Sequence, residues 1–126
     1  MRNNIVSRAV RGAITVNFNN ADEITSATVK LLTAIIQANE IAQDDIVSVI
    51  FTLTNDLNAE FPAKSARIHL GWDDIPMICT NEIPVPGSIQ RCIRVMITFN
   101  TSKPKSEIRH IYLEGATALR PDLANR

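Results

Sequence analysis

Cysteine and histidine are scarce in this chain, with two of each: Cys79, Cys92, His69 and His110. The cysteines stand far apart and share no C-x-x-C spacing. They make neither a disulfide framework nor, with so few histidines, a zinc site. Glycine is equally sparse, four scattered residues that build no phosphate-cradling loop. No apolar run approaches the roughly 18 residues of a membrane span. The N-terminal stretch up to Arg8 is too polar and short for a signal peptide. A surplus of either charge is also missing, since 13 Lys+Arg face 13 Asp+Glu. Binding to nucleic acid or a membrane surface rests on such a surplus, so neither partner is expected. What is present is ordinary: 45% hydrophobic and 21% charged residues in a chain of 126. A chain of this size buries roughly two-thirds of its unfolded surface and needs no staples. One cytosolic domain spanning residues 1–126 is expected, not a disordered chain.

Periodicity divides the chain into elements. In residues 7–16, Val10, Ile14 and Val16 share one parity with Gly12 between them, and Ala9, Arg11, Ala13 and Thr15 share the other; this is a strand. Asn20 can cap a helix, with Glu23 three residues on as a variant capping box. Ile24, Ala27, Thr28, Leu31, Leu32 and Ile35 then recur at helical spacing to a helix end near Asn39. Residues 46–53 are apolar on both parities, which predicts a strand covered on both faces. Pro62 suits the first turn of a short helix over 61–70, closed by Gly71. Residues 75–80 form a short strand, and Pro84-Val85-Pro86-Gly87-Ser88 a stiff loop. The clearest strand is 91–100. Pro104 opens a helical turn, 108–113 is a last strand, and Arg120-Pro121-Asp122 stops the C-terminal segment. The expected fold is α+β in two layers, a mixed β-sheet with one long helix on one face.

The strand 91–100 carries the most chemistry. Ile93, Val95, Ile97 and Phe99 face a core, while Cys92, Arg94, Met96 and Thr98 face the other way. An arginine between a cysteine and a methionine reads as covered, and a covered arginine needs an anionic partner. Arg11, between Ala9 and Ala13, repeats the pattern. Two readings stay open. Each arginine pairs with a native carboxylate such as Glu82, Glu107 or Glu114, or the two line a pocket for carboxylates or phosphates, which guanidinium groups bind through parallel hydrogen bonds. Cys79 has no histidine near it in sequence to act as a base, so its simpler reading is a small buried hydrophobe. Glu82 is either a solvated loop carboxylate or a group aimed into a pocket mouth. Tyr112, the single tyrosine, reads first as a core residue. His69 and His110 face solvent or bind backbone, and Asp44-Asp45 and Asp73-Asp74 are caps or loops.

Taken in order, several segments resemble the small trimeric α/β class of chorismate mutase, the AroH class. They are Arg8-Ala9-Val10-Arg11-Gly12-Ala13, Asp56-Leu57-Asn58-Ala59-Glu60-Phe61-Pro62-Ala63-Lys64, Glu82-Ile83-Pro84-Val85-Pro86-Gly87, Arg91-Cys92-Ile93-Arg94-Val95, Ile108-Arg109-His110-Ile111-Tyr112-Leu113-Glu114-Gly115-Ala116 and Leu119-Arg120-Pro121-Asp122-Leu123. Each motif is weak alone, but the ordered set spans the chain from Arg8 to Leu123. Ile78 departs from members that carry a hydroxyl residue there.

The resemblance implies a fold related to ferredoxin-like sandwiches, and a homotrimer with sites between subunits. It implies the cytoplasmic Claisen rearrangement of chorismate to prephenate, a step toward phenylalanine and tyrosine that uses no metal or cofactor. It also implies roles. Arg94 would sit by the ether oxygen, Glu82 with Cys79 would hold the ring hydroxyl, and Arg11 and Tyr112 would hold carboxylate. Ile78, Cys79, Thr80, Asn81 and Glu82 would line the pocket, flanked by Phe61, Ala63, Lys64, Arg67, Leu119 and Arg120. Two rivals on a similar trimeric fold remain: an imine or enamine deaminase, and a non-catalytic regulatory module.

Overall fold

The computed structural model describes residues 4–124; residues 1–3, part of the polar N-terminal stretch, and 125–126 lie outside the described residues, as do the side chains of Leu123 and Ala124. Chain order runs β1 (Val6–Thr15), α1 (Ala21–Asn39), β2 (Ile46–Leu53), α2 (Pro62–Leu70), β3 (Met77–Asn81), β4 (Cys92–Thr101), β5 (Ile111–Leu113) and a last helical turn α3 (Pro121–Ala124). The strands form one sheet in the order β3-β2-β4-β1-β5. β4 is antiparallel to β1 and β2, while β3 is parallel to β2 and β5 to β1. The sheet is mixed, as expected, and α1 and α2 pack on one face of it.

Local chemistry sets the helix ends. The Asn20 side chain accepts the Glu23 N–H at 2.8 Å. Glu23 in turn accepts from the Asn17 N–H at 3.2 Å, three residues further back than the N-cap N–H of a capping box. α1 stops at Glu40, which adopts a left-handed conformation (φ 53°). α2 opens on Pro62 and closes on Gly71, whose φ of 71° suits a residue without Cβ. The expected apolar stripe of α1 is buried: Ile24, Ala27, Thr28, Leu31, Leu32 and Ile35. It meets Val10 and Ile14 of β1, Val49 and Phe51 of β2, and Ile93, Ile97 and Phe99 of β4. Gly12 lets β1 approach α1 closely, since a Cβ there would lie 2.6 Å from Ile35 Cδ1.

Several boundaries differ from expectation. β3 starts at Met77 and not at 75, because Pro76 has no N–H to give; its carbonyl accepts the Val49 N–H at 2.9 Å instead. β5 starts at Ile111 and not at 108. Arg109 N–H is taken by the buried Asn39 side chain at 2.7 Å, and the His110 ring faces β1. Arg91 precedes β4 in a left-handed conformation (φ 48°). Pro121, expected as a stop, begins a helical turn, consistent with proline at a first helical position.

β2 is not covered on both faces within the chain. Val49, Phe51 and Leu53 are buried, whereas Val47 is exposed and Ile50 and Thr52 are half-buried. The face opposite the helices is closed only at one end, where Ala13, Cys92, Tyr112 and Ala116 form a small second core. Arg94 and Met96, expected to be covered, are exposed.

Candidate active site

Strand register assembles a row of side chains on the open face. Tyr112 of β5 pairs with Ala13 of β1, Ala13 with Arg94 of β4, Arg94 with Thr52 of β2, and Thr52 with Thr80 of β3. Side chains that face each other across paired strands lie on the same side of the sheet, with strands about 4.8 Å apart. The next row is Arg11, Met96, Ile50 and Ile78. Arg11 and Arg94 therefore project from the same face on neighbouring strands.

Glu82 joins the row from beyond the end of β3. Its N–H donates to the Leu53 carbonyl at 2.9 Å, which continues the ladder by one step. Alternation then puts its side chain on the Thr80 side, over β2. There the carboxylate takes Arg94 Nε at 2.5 Å and Nη2 at 3.0 Å, a bidentate pair, and also accepts from the Thr52 hydroxyl. Burial works to raise the Glu82 pKa, but the Arg94 and Thr52 hydrogen bonds and the Arg94 charge outweigh it, and the carboxyl sits below its ordinary value. The bond to Glu82 in turn holds the guanidinium above its ordinary value. Of the carboxylates weighed for Arg94, Glu82 is thus the partner; Glu114 is held by Lys30 at 2.7 Å. No ion pair of Arg11 occurs among the described residues.

A cavity of about 530 Å³ opens beside this pair. Glu82, Cys92 and Arg94 line it together with the loop 83–90, Thr54, Asp56 and Leu119. Its walls are fastened. Asp56 accepts the Arg91 N–H with both oxygens, at 3.0 and 3.1 Å, and Thr54 accepts the Cys92 N–H at 3.0 Å. Burial pushes the Cys92 thiol up to about 11, so it is a neutral wall residue at physiological pH. Sequence reasoning had not singled out Thr52, Thr54 or Asp56 as parts of the site. For Thr52 the signal was available, because it shares a parity with Ile50 on a strand whose other parity is core.

Other residues go elsewhere. Cys79 pairs with Phe51, so its thiol faces the helix layer and packs on the main core. Within one chain the sheet stands between this thiol and the Glu82 carboxylate. Half burial pushes its pKa up, against the opposing bond from the Ala63 backbone. Phe61, Cys79, Thr80 and Asn81 line a second cavity of about 340 Å³. Beyond it on α2, Ala63 is half-buried and Arg67 exposed, and Lys64 reaches Glu60 at 3.3 Å. Arg120 turns to Asp122 at 2.9 Å. Ile78 is 61% exposed. Within one chain, the expected site residues therefore fall into two groups. His110 accepts the Arg11 N–H at 3.0 Å, a backbone contact as expected. Among the described residues, no three His, Cys, Asp or Glu gather as metal ligands, and no helix is long and apolar enough to cross a membrane.

Known proteins resemble this chain in sequence and fold. The chain is 44% identical over 117 residues to the chorismate mutase AroH of Bacillus subtilis (strain 168), covering 93% of this chain and 92% of that one. It is 44% identical to the chorismate mutase AroH of Thermus thermophilus, covering 92% and 95%. A chorismate mutase structure from Clostridium thermocellum superposes with a TM-score of 0.86 at 51% identity, covering 88% of this chain and 98% of that one. The family "chorismate mutase type I" matches residues 7–123, and with relatives this similar over nearly their whole length, the chain belongs to that family.

Proposed function

We propose that the protein is an isomerase that rearranges chorismate to prephenate in aromatic amino acid biosynthesis. The observation that carries this is a carboxylate, Glu82, fixed on an arginine, Arg94, in the lining of a cavity. Chorismate is a dianion. As its ether C–O bond breaks, negative charge gathers on that oxygen and positive character on the ring. A site that fixes a cation and an anion side by side matches both ends of that polarisation. Arg94 has five N–H donors, two of which hold Glu82, so others remain for the ether oxygen. Glu82 faces the ring and its hydroxyl, and Arg11 and Tyr112 hold carboxylate. The reaction is intramolecular, so the protein's own task is to hold the compact chair-like conformer among fixed charges.

The same geometry supports a homotrimer. The cavity lining carries Asp56, Glu82 and Arg94, too little positive charge for a dianion. Further cations stand on α2 (Lys64, Arg67) and near the C-terminus (Arg120), and the uncovered sheet face with Ile78 and Met96 needs burial. A neighbouring copy meets both needs, joining the second cavity of one subunit to the first of another. We read residues 1–126 as one domain acting in the cytoplasm, where the free thiols of Cys79 and Cys92 stay reduced. The deaminase and regulatory-module readings give no role to a carboxylate laid across the arginine that should meet an anionic ligand. The test is incubation with chorismate, following loss of its absorbance and prephenate by mass; absence of prephenate would overturn the assignment.

A further inference from the structure

We propose that Thr52 is a positioning residue, whose hydroxyl fixes the Glu82 carboxylate in the orientation that meets Arg94 and the substrate. This rests on the role given to Glu82 above. Glu82 leaves the end of β3 on a single backbone bond, to the Leu53 carbonyl at 2.9 Å, and the loop that follows is exposed. Nothing in its own segment sets the rotation of its carboxylate. Two side chains do so. Arg94 grips both oxygens, and the Thr52 hydroxyl donates to Oε2, the oxygen that also takes Arg94 Nε. Arg94 is 50% exposed at the side chain, so it is an unsteady anchor by itself. Thr52 is the steady one. It lies on an inner strand, paired on one side with Arg94 and on the other with Thr80, and its β-branched side chain has restricted rotation. With Oε2 doubly engaged and Oε1 taking only Nη2, the free acceptor capacity of Glu82 lies on Oε1.

The test is a set of variants read by steady-state kinetics across pH. Thr52→Val keeps the branched shape and removes the donor. It should lower kcat by about ten- to a hundredfold, the scale of a hydrogen bond to a charged group, with a smaller change in KM. It also removes a bond to the ionised carboxylate, so the acid limb of the pH profile should move to higher pH. Thr52→Ser should restore most of kcat and return the limb. In a Glu82→Gln background, Thr52→Val should cost little more, because the group it positions is gone. If Thr52→Val does not fold, Thr52→Ala is read the same way. A Thr52→Val enzyme with unchanged kcat and acid limb, beside an impaired Glu82→Gln enzyme, overturns the positioning role and leaves the function of Glu82 standing. Full activity of Glu82→Gln overturns the role of Glu82 itself, and that of Thr52 with it.

Discussion

In the role proposed for it, Arg94 serves two partners at once, and its planar fork makes that possible. Nε and Nη2 lie on Glu82, and the remaining N–H groups are left for the cavity. A lysine in its place offers a rotating point charge that cannot hold the carboxylate and face the ether oxygen together. Arg94→Lys should therefore lose ~10²–10³ in rate, the usual cost of one preorganised donor to developing charge. The loss should fall on kcat more than KM, since that charge exists only in the transition state; a variant keeping most of its kcat would refute the role. The same pair bears on acid stability. Because the folded pKa of Glu82 lies below its ordinary value of 4.5, its ionised form contributes stability above that value. The contribution is lost as pH falls through the lower folded pKa. Melting curves of the native protein and Glu82→Gln should converge as pH drops below 4.5, and a constant gap would show that the pair does not favour the folded state. The arginines were legible in the sequence as charges in odd company. Which carboxylate answers Arg94 was not, because Glu82 reaches it only through β2–β3 and β2–β4 register that no local pattern encodes.

β1 is the element on which core and site depend together. Its helix-facing parity runs Val10, Gly12, Ile14, and its open parity carries Arg11 and Ala13. Gly12 lies under α1, where a Cβ would meet Ile35 Cδ1 at 2.6 Å, Leu31 Cδ1 at 3.1 Å and the Ile111 carbonyl at 3.1 Å. The leucine and isoleucine tips can give way, but the carbonyl belongs to the β1–β5 ladder. Gly12→Ala should therefore destabilise by roughly 1–3 kcal/mol, as overpacking does, and push β1 away from β5, disturbing the pairing of Ala13 with Tyr112. Denaturant unfolding measures the first effect; an unchanged midpoint would mean that the helix yields freely. At this scale the sequence was most readable. Asn20, Pro62 and Gly71 marked helix ends, and strict alternation marked β4. What could not be read was any place where a tertiary partner decides. β5 is shortened because Asn39 takes the Arg109 N–H. β2, apolar on both parities, has one face left open, and its alternation cannot say whether the cover comes from the same chain or another copy.

At the scale of the whole molecule, a bound ligand is expected to stabilise the fold. Bare arginines held close together would repel one another and put an empty site under strain. The Glu82–Arg94 pair removes much of it, since one cation of the site is already neutralised. Arg11 remains, exposed on the open face with no ion pair among the described residues. Its structural bond to His110 comes from the backbone N–H at 3.0 Å, which alanine keeps. Arg11→Ala should therefore leave the melting temperature of the empty protein almost unchanged. A dianionic ligand should behave differently. Bound only by the folded protein, it stabilises by RT ln(1+[L]/Kd), roughly 2.7 kcal/mol at a hundredfold excess over Kd. Prephenate, or a bicyclic dicarboxylate shaped like the transition state, should raise the melting temperature beyond what equal ionic strength does. Arg11→Ala, lacking one carboxylate partner, should shrink that shift at the same ligand concentration. The measurement is a melting series on both proteins, with and without ligand and at matched salt. If Arg11→Ala lowers the empty melting temperature by several degrees and keeps the full ligand shift, Arg11 belongs to the architecture of the sheet and substrate carboxylate is held by other groups.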